Sequence, residues 1–358
     1  MIRVLVVEDS LTVRRHLVGV LSADPEIEVV GEAADGATGV ALCGRLRPDV
    51  ATFDMVLPEL DGLAAVEHIM AYFPTPIVIV SASENRGEVL ETYDALRAGA
   101  IDVLDKPKDG ELDGEWAARL CATVKLVARI KPITHPRARL RDRARAHAEE
   151  SRAAVTPARR PPSSLRAIAI GASTGGPGAV AEILRALPRD FDVPVFVVIH
   201  VGATFNAGLV DWLGRQTALP VATAVAGEPL PRGGRVLLAT PDHHLSVSRG
   251  RLTLTRAAER NHCRPSVDVL FESLALELGP SVLACLLTGM GKDGAEGLLA
   301  VRKAGGVTVA QDEATSVVFG MPREAILRGA ALHVLPIAQI AGLVLSARTG
   351  HRAAGGAP

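Results

Sequence analysis

Ile2-Arg3-Val4-Leu5-Val6-Val7-Glu8-Asp9 decides the fold class: an almost unbroken apolar run of strand length ends abruptly on two carboxylates. Residues 50–53 and 76–80 (Val-Ala-Thr-Phe and Pro-Ile-Val-Ile-Val) repeat the pattern, with helical spacing over Arg14–Leu21 and Gly62–Met70 between them. Apolar strands alternating with amphipathic helices describe a doubly wound parallel sheet over residues 1–125. From 129 to 160 arginine or lysine stands at ten positions with prolines at both ends, and such a stretch has little to bury. It is expected to be a flexible basic linker over 126–165, its middle, Leu140–Arg152, at most a transient polar helix. From Arg166 the rhythm resumes, with buried strands expected at 167–171, 194–199, 282–287 and 307–310. Helices are expected at 177–187, 205–216, 267–278, 294–304, 322–328 and 336–347. Arg235–Ala239, His244–Ser248 and Leu252–Thr255 are short alternating segments and fit antiparallel hairpins added to that sheet. The second α/β domain thus spans 166–347, before a flexible tail over 348–358.

The bulk numbers narrow the class. A chain of 358 residues matches two domains better than one, and 48% apolar residues suffice for two cores. A formal net charge of -1 argues against wholesale attraction to nucleic acid or an anionic membrane. No apolar run reaches membrane-span length, and the chain enters a strand directly after Met1, so a cytoplasmic protein without membrane insertion is expected. Cys43, Cys121, Cys263 and Cys285 lack zinc spacing and read as core thiols.

Parallel sheets gather ligands at the carboxyl ends of their strands. Glu8 and Asp9 end the first strand and Asp54 the third, so three acids share one crevice. Like charges held that close call for a cation, and oxygen ligands suit Mg²⁺. Ser81 and Lys106, at the ends of two further strands, are placed to hold the oxygens of a phosphoryl group on Asp54. The second domain offers Gly171-Ala172-Ser173-Thr174-Gly175-Gly176 between a strand and a helix. This loop fits a nucleophile elbow, with a phosphate cradle and a plain tight turn as the competing readings. His200, at the end of the next strand, is placed as the base for Ser173, and Asp293 in the loop 288–294 as the acid that orients it. His243, His244, His262 and Cys263 match no common zinc pattern, and hydrogen-bonded or surface roles are expected for the histidines. His16, His68 and His333 are expected in or near helices.

Val-Glu-Asp-Ser at 7–10, Asp-Met-Val-Leu-Pro-Glu-Leu-Asp-Gly at 54–62 and Asp-Lys-Pro at 105–107 resemble a response-regulator receiver domain. The resemblance implies a flavodoxin-like fold, Asp54 as phosphoacceptor, Mg²⁺ on Glu8, Asp9 and Asp54, and phosphoryl contacts from Ser81 and Lys106. Val103 stands where receivers commonly carry an aromatic switch residue. Gly-Ala-Ser-Thr-Gly-Gly at 171–176, Arg-Pro-Ser-Val-Asp-Val-Leu-Phe at 264–271, Leu-Thr-Gly-Met-Gly-Lys-Asp-Gly at 287–294 and Val-Phe-Gly-Met-Pro-Arg-Glu-Ala at 318–325 resemble the chemotaxis protein-glutamate methylesterases. That likeness implies a triad of Ser173, His200 and Asp293, with the backbone near Thr174 and Met290 supporting the oxyanion. It implies methyl-accepting chemotaxis receptors as substrate, a chemotaxis histidine kinase as phosphodonor, no cofactor in the hydrolase domain, and glutamine deamidation as a side activity. Val201-Gly202-Ala203 and Cys263 depart from the family pattern, and neither departure is expected to touch the triad. A methylesterase-like regulator of a non-flagellar array, and a response regulator with a non-catalytic binding output, are the alternative readings.

Overall fold

The computed structural model describes residues 1–82, 86–106, 114–130 and 165–352. The chain divides into two units, Met1–Pro157 and Ala158–Pro358. The basic linker expected over 126–165 lies outside the described residues from 131 to 164.

The first unit is a sheet of β1 (Ile2–Val7), β2 (Ile27–Ala33), β3 (Val50–Phe53), β4 (Ile77–Ser81) and β5 (Asp102–Asp105) in the order β2-β1-β3-β4-β5. Every pairing is parallel, with Val7 opposite Phe53 and Ser81 opposite Asp105. The strands are continuous apolar runs because helices cover both faces, and Leu5, Val7, Phe53, Ile77 and Ile79 are withdrawn into one core. Strand order reverses beside β1, whose neighbours are β2 and β3. A crevice must open there at the carboxyl ends, between Glu8-Asp9 and Asp54. Gly62 is required by close approach: a Cβ there would lie 2.4 Å from the Asp54 carbonyl oxygen. Only glycine lets the turn after Asp54 fold back beneath it before Asp61 caps the helix Gly62–Tyr72.

The second unit contains a parallel sheet in the order β14-β13-β12-β6-β7-β9-β8. Its strands are β6 (Ala167–Ala172), β7 (Val195–Ile199), β8 (Val221–Thr223), β9 (Val236–Leu238), β12 (Val282–Leu286), β13 (Val307–Gln311) and β14 (His333–Leu335). β10 (His244–Ser248) and β11 (Arg251–Thr255) form a separate antiparallel pair. This corrects the hairpin expectation in part. Residues 236–238 are a parallel interior strand of the main sheet, and only β10–β11 is a hairpin. That hairpin is fastened to the helix Val267–Leu278: Ser273 Oγ accepts from Val247 N and Glu277 from the Arg249 and Gly250 amides. The two edge strands, β8 and β14, are three residues each and largely unburied, so they carry no apolar run to read. His333 begins β14 and lies in no helix. The last helix runs to Arg352, past the expected start of a flexible tail at 348. Among the described residues no helix is long and apolar enough to cross a membrane.

Candidate active site

In the first unit the crevice holds what the strand ends promise. Glu8 is fully buried, Asp54 is 3% exposed and Ser81 is buried, while Asp9 stands in solvent at the rim. Lys106 Nζ reaches between the two buried acids, 2.7 Å from Asp54 Oδ2 and 2.8 Å from Glu8 Oε2. Asp54 Oδ1 accepts from the Met55 amide at 2.7 Å. One ammonium does not offset two buried carboxylates. Burial pushes Glu8 up to about 7, with Asp54 adding and Lys106 opposing. Asp54 is raised for the same first reason, against the pull of Lys106. One oxygen from each of Glu8, Asp9 and Asp54 lies within 4.8 Å of the others. An all-oxygen trio, two of its carboxyls buried, fits a small hard cation such as Mg²⁺. Val103 sits part-buried on β5 against the apolar core.

In the second unit, Ser173, His200 and Asp293 follow β6, β7 and β12, three adjacent strands. Ser173 sits in the turn before the helix Gly176–Arg185, its amide bonded to Thr288 O and its carbonyl to Gly176 N. Gly289 passes so near that a Cβ there would lie 2.7 Å from Ser173 Cβ, so the loop 288–294 packs directly on the serine. Thr288 ties the two loops: its hydroxyl donates to Thr174 O at 2.9 Å and accepts from Val318 N at 2.9 Å. Its amide donates to the buried Gln311 side chain at 2.8 Å. Thr174 is thereby buried, whereas the Met290 side chain is 51% exposed.

His200 and Asp293 meet directly, Nε2 to Oδ2 at 2.9 Å. Among the described residues the Ser173 hydroxyl makes no hydrogen bond with His200, so the structure joins His200 and Asp293 and leaves Ser173 apart. Asp293 docks on the amino end of the helix Val267–Leu278. Ser266 Oγ donates to it at 2.7 Å, the Val267 amide at 2.7 Å and the Asp268 amide at 3.3 Å, and Asn261 Nδ2 adds a fourth donor at 3.3 Å. Burial alone would raise this carboxyl. The His200 ring, Ser266 and Val267 outweigh it and hold Asp293 well below the usual range. Burial likewise pulls His200 down, but Asp293 first and Cys263 next raise it to about 9.

Ser266, Asn261 and Thr288 were not singled out from sequence, although Ser266 and Thr288 lie inside the quoted motifs. Asp268, also buried, bonds Asn261 Nδ2 and the Gly297 amide, and burial raises it to about 6. Cys263 corrects a second expectation. Its Sγ lies 3.8 Å from His200 Nδ1, so this departure touches one of the three expected catalytic residues after all. It is also only part-buried, as is Cys121, whereas Cys43 and Cys285 are core thiols. His244 is buried and hydrogen-bonded, its Nδ1 accepting from Ser266 N and its Nε2 bonding Ala258 O. A cleft of about 780 Å³ beside the acid is lined by Glu259, Asn261, His262, Gly291, Lys292 and Glu324.

Residues 168–344 match the family model described as CheB methylesterase, and residues 4–113 match the response regulator receiver domain. A protein of Anaeromyxobacter dehalogenans named protein-glutamate methylesterase/protein-glutamine glutaminase 2 is 43% identical, the match covering 95% of each chain. One of Myxococcus xanthus, carrying the same name with the number 4, is 42% identical over 98% of each. One of Pseudomonas aeruginosa, numbered 2, is 43% identical over 96% of each. With a flavodoxin-like receiver ahead of an α/β hydrolase sheet and matches of this length and identity, the chain belongs to the CheB methylesterase family.

Proposed function

We propose that the chain is a phosphorylation-activated protein-glutamate methylesterase that removes methyl groups from glutamates of cytoplasmic chemoreceptor helices, and also deamidates receptor glutamines. Residues 1–125 would be its receiver and 166–347 its catalytic domain, acting in the cytoplasm. The observation that carries the reading is the hydrogen bond of His200 to a buried, ionised Asp293, beside a serine on the neighbouring strand end. With Nε2–H donating to Asp293, Nδ1 is the nitrogen left to take the Ser173 proton as Oγ attacks the ester carbonyl. That contact closes when substrate is bound, since such bonds tighten in the reactive complex. The start of the helix after Thr174 and the Met290 backbone support the developing oxyanion. His200 then passes its proton to the departing methoxide, giving methanol, and water activated by the same ring frees the acyl-serine as glutamate. Asp293 steadies the imidazolium and remains ionised throughout.

In the receiver, Asp54 accepts the phosphoryl group from a chemotaxis histidine kinase, and Ser81 and Lys106 hold its oxygens. Glu8, Asp9 and Asp54 would hold Mg²⁺, which supplies charge neutralisation at the transferring phosphoryl group. Ser173→Ala in the full chain is expected to lower methanol release from methylated receptor membranes by ~10⁴ to 10⁶-fold. A folded variant with near-normal release would remove Ser173 as the nucleophile.

A further inference from the structure

We propose that Cys263 and His200 form a site for a thiophilic divalent cation such as zinc(II), and that its occupation shuts the hydrolase. The two donors already stand at coordination distance from a common point. Cys263 Sγ and His200 Nδ1 are 3.8 Å apart. Around a tetrahedral zinc ion, with Zn–S ≈ 2.3 Å and Zn–N ≈ 2.0–2.1 Å, a sulfur and a nitrogen are separated by about 3.6 Å. Closing that difference asks only a few tenths of an ångström from either side chain. The second nitrogen is arranged as a metal-binding histidine needs: Nε2 donates to the Asp293 carboxylate at 2.9 Å, which turns the Nδ1 lone pair toward the thiol. Asp293 is the outer partner and not a ligand, because Ser266, Val267 and Asn261 already occupy its oxygens, although it lies within 4.8 Å of both donors. Neither donor is sealed off: the His200 side chain is 17% exposed and Cys263 is part-buried.

Near neutral pH binding sends two protons to solvent: the thiol proton, as the sulfur–metal bond forms, and the Nδ1 proton of the His200 imidazolium, whose freed lone pair takes the metal. Nitrogen and sulfur select soft or borderline ions. The oxygen trio of Glu8, Asp9 and Asp54 selects hard ones, so the two cation sites of this chain sort different metals. Loss of activity on metal binding rests on the reading of His200 Nδ1 as the acceptor of the Ser173 proton; the metal site itself does not.

The test uses the full chain, freed of metal with a chelator, and Cys263→Ser and Cys263→His variants, each compared with its own metal-free rate. Zinc(II) alone is titrated against methanol release, and cobalt(II) alone is followed by its thiolate-to-metal absorbance in the near ultraviolet. The unaltered chain is expected to be inhibited and to develop the cobalt band. Cys263→Ser should lack the band and need at least ~10–100-fold more zinc, the loss that even an outer-shell partner causes. Cys263→His should keep zinc inhibition without the band. Any effect of metal at the receiver is common to all three proteins. Equal zinc inhibition of the unaltered chain and Cys263→Ser, or a cobalt band that survives Cys263→Ser, would overturn the proposal. A Cys263-dependent cobalt band in a chain that releases no methanol would uphold the metal site and overturn the esterase reading instead.

Discussion

Asp54 and Asp293 each follow an interior strand of a parallel sheet, and each is almost removed from water, at 3% and 2% exposure. Burial acts on both in the same direction, yet Asp54 ends with a raised pKa and Asp293 with a lowered one. The difference lies in the donors. Asp293 receives a hydroxyl, two amides, an amide side chain and an imidazole, and it sits at the positive end of a helix. Asp54 has the Met55 amide and a lysine shared with Glu8. Asp293 is therefore a finished anion whose task is to stay charged. On the proposed reading, the receiver acids form an unfinished cluster that takes up a cation and a phosphoryl group. The same strand-end topology serves a permanent charge in one unit and an exchangeable one in the other.

The largest test of this contrast is a double-mutant cycle. Ser173→Ala and His200→Ala should each cost ~10⁴ to 10⁶-fold in methanol release, and the pair together should cost hardly more than either. Multiplying losses would give His200 a task separate from the serine. Next, Asp54→Asn should leave esterase activity measurable but abolish its stimulation by a small phosphodonor with Mg²⁺; stimulation that persists would move the phosphoacceptor elsewhere. Ser266→Ala, which removes one donor from the finished anion, should lower kcat/KM by about 10–100-fold, the equivalent of the ~1.5–3 kcal/mol of a hydrogen bond to a charged group. Ser266→Thr, which keeps a hydroxyl, should recover most of that loss.

The receiver acids should respond in the opposite sense, to removal of charge. Folded Glu8 keeps its proton up to about pH 7 while the unfolded chain ionises near 4.5, so this group lowers stability as pH rises through that window. Glu8→Gln should accordingly raise the thermal midpoint of the Mg²⁺-free chain by a few degrees above pH 7 and abolish its gain on adding Mg²⁺. An unchanged midpoint would mean that Lys106 alone balances the cluster. Asp293 works the other way, stabilising above its unfolded value of 3.8 and losing that contribution on acidification. His200, raised from 6.5 to about 9, stabilises fully below 6.5 and loses its contribution as pH climbs through about 9. A base must be neutral to act, so the rising limb of kcat/KM against pH should lie near 9. The smallest expected effect is a shift of that limb toward 6.5 in Cys263→Ala, which removes one of the two groups holding the imidazolium. A limb that stays in place would assign the whole shift to Asp293.

Much of this was legible in the chain itself. Fully buried parallel strands are apolar along their whole length, so β1, β3, β6, β7 and β12 stand out, and a polar residue at the end of each can only face the ligand side. That reasoning placed Glu8, Asp54, Ser173, His200 and Asp293 beyond strand ends without a coordinate, and the structure has them there. What it missed has a common cause. β8 and β14 are edge strands with little to bury, and β9 was taken for a hairpin arm because its three apolar residues look alike in either setting. Local pattern records what a segment does with its own neighbours. It was the packing of the helix Val267–Leu278 across the strand ends that set Ser266 under Asp293 and swung Cys263 to within 3.8 Å of His200. Those contacts join residues 27 and 63 positions apart, where no periodicity reaches. The sequence alone determined which side chains stand at which strand ends, since burial and strand polarity leave no alternative. Only the tertiary structure decided how many donors each carboxylate receives, and therefore which is a fixed charge and which can change, because donors come from whatever elements the fold brings alongside.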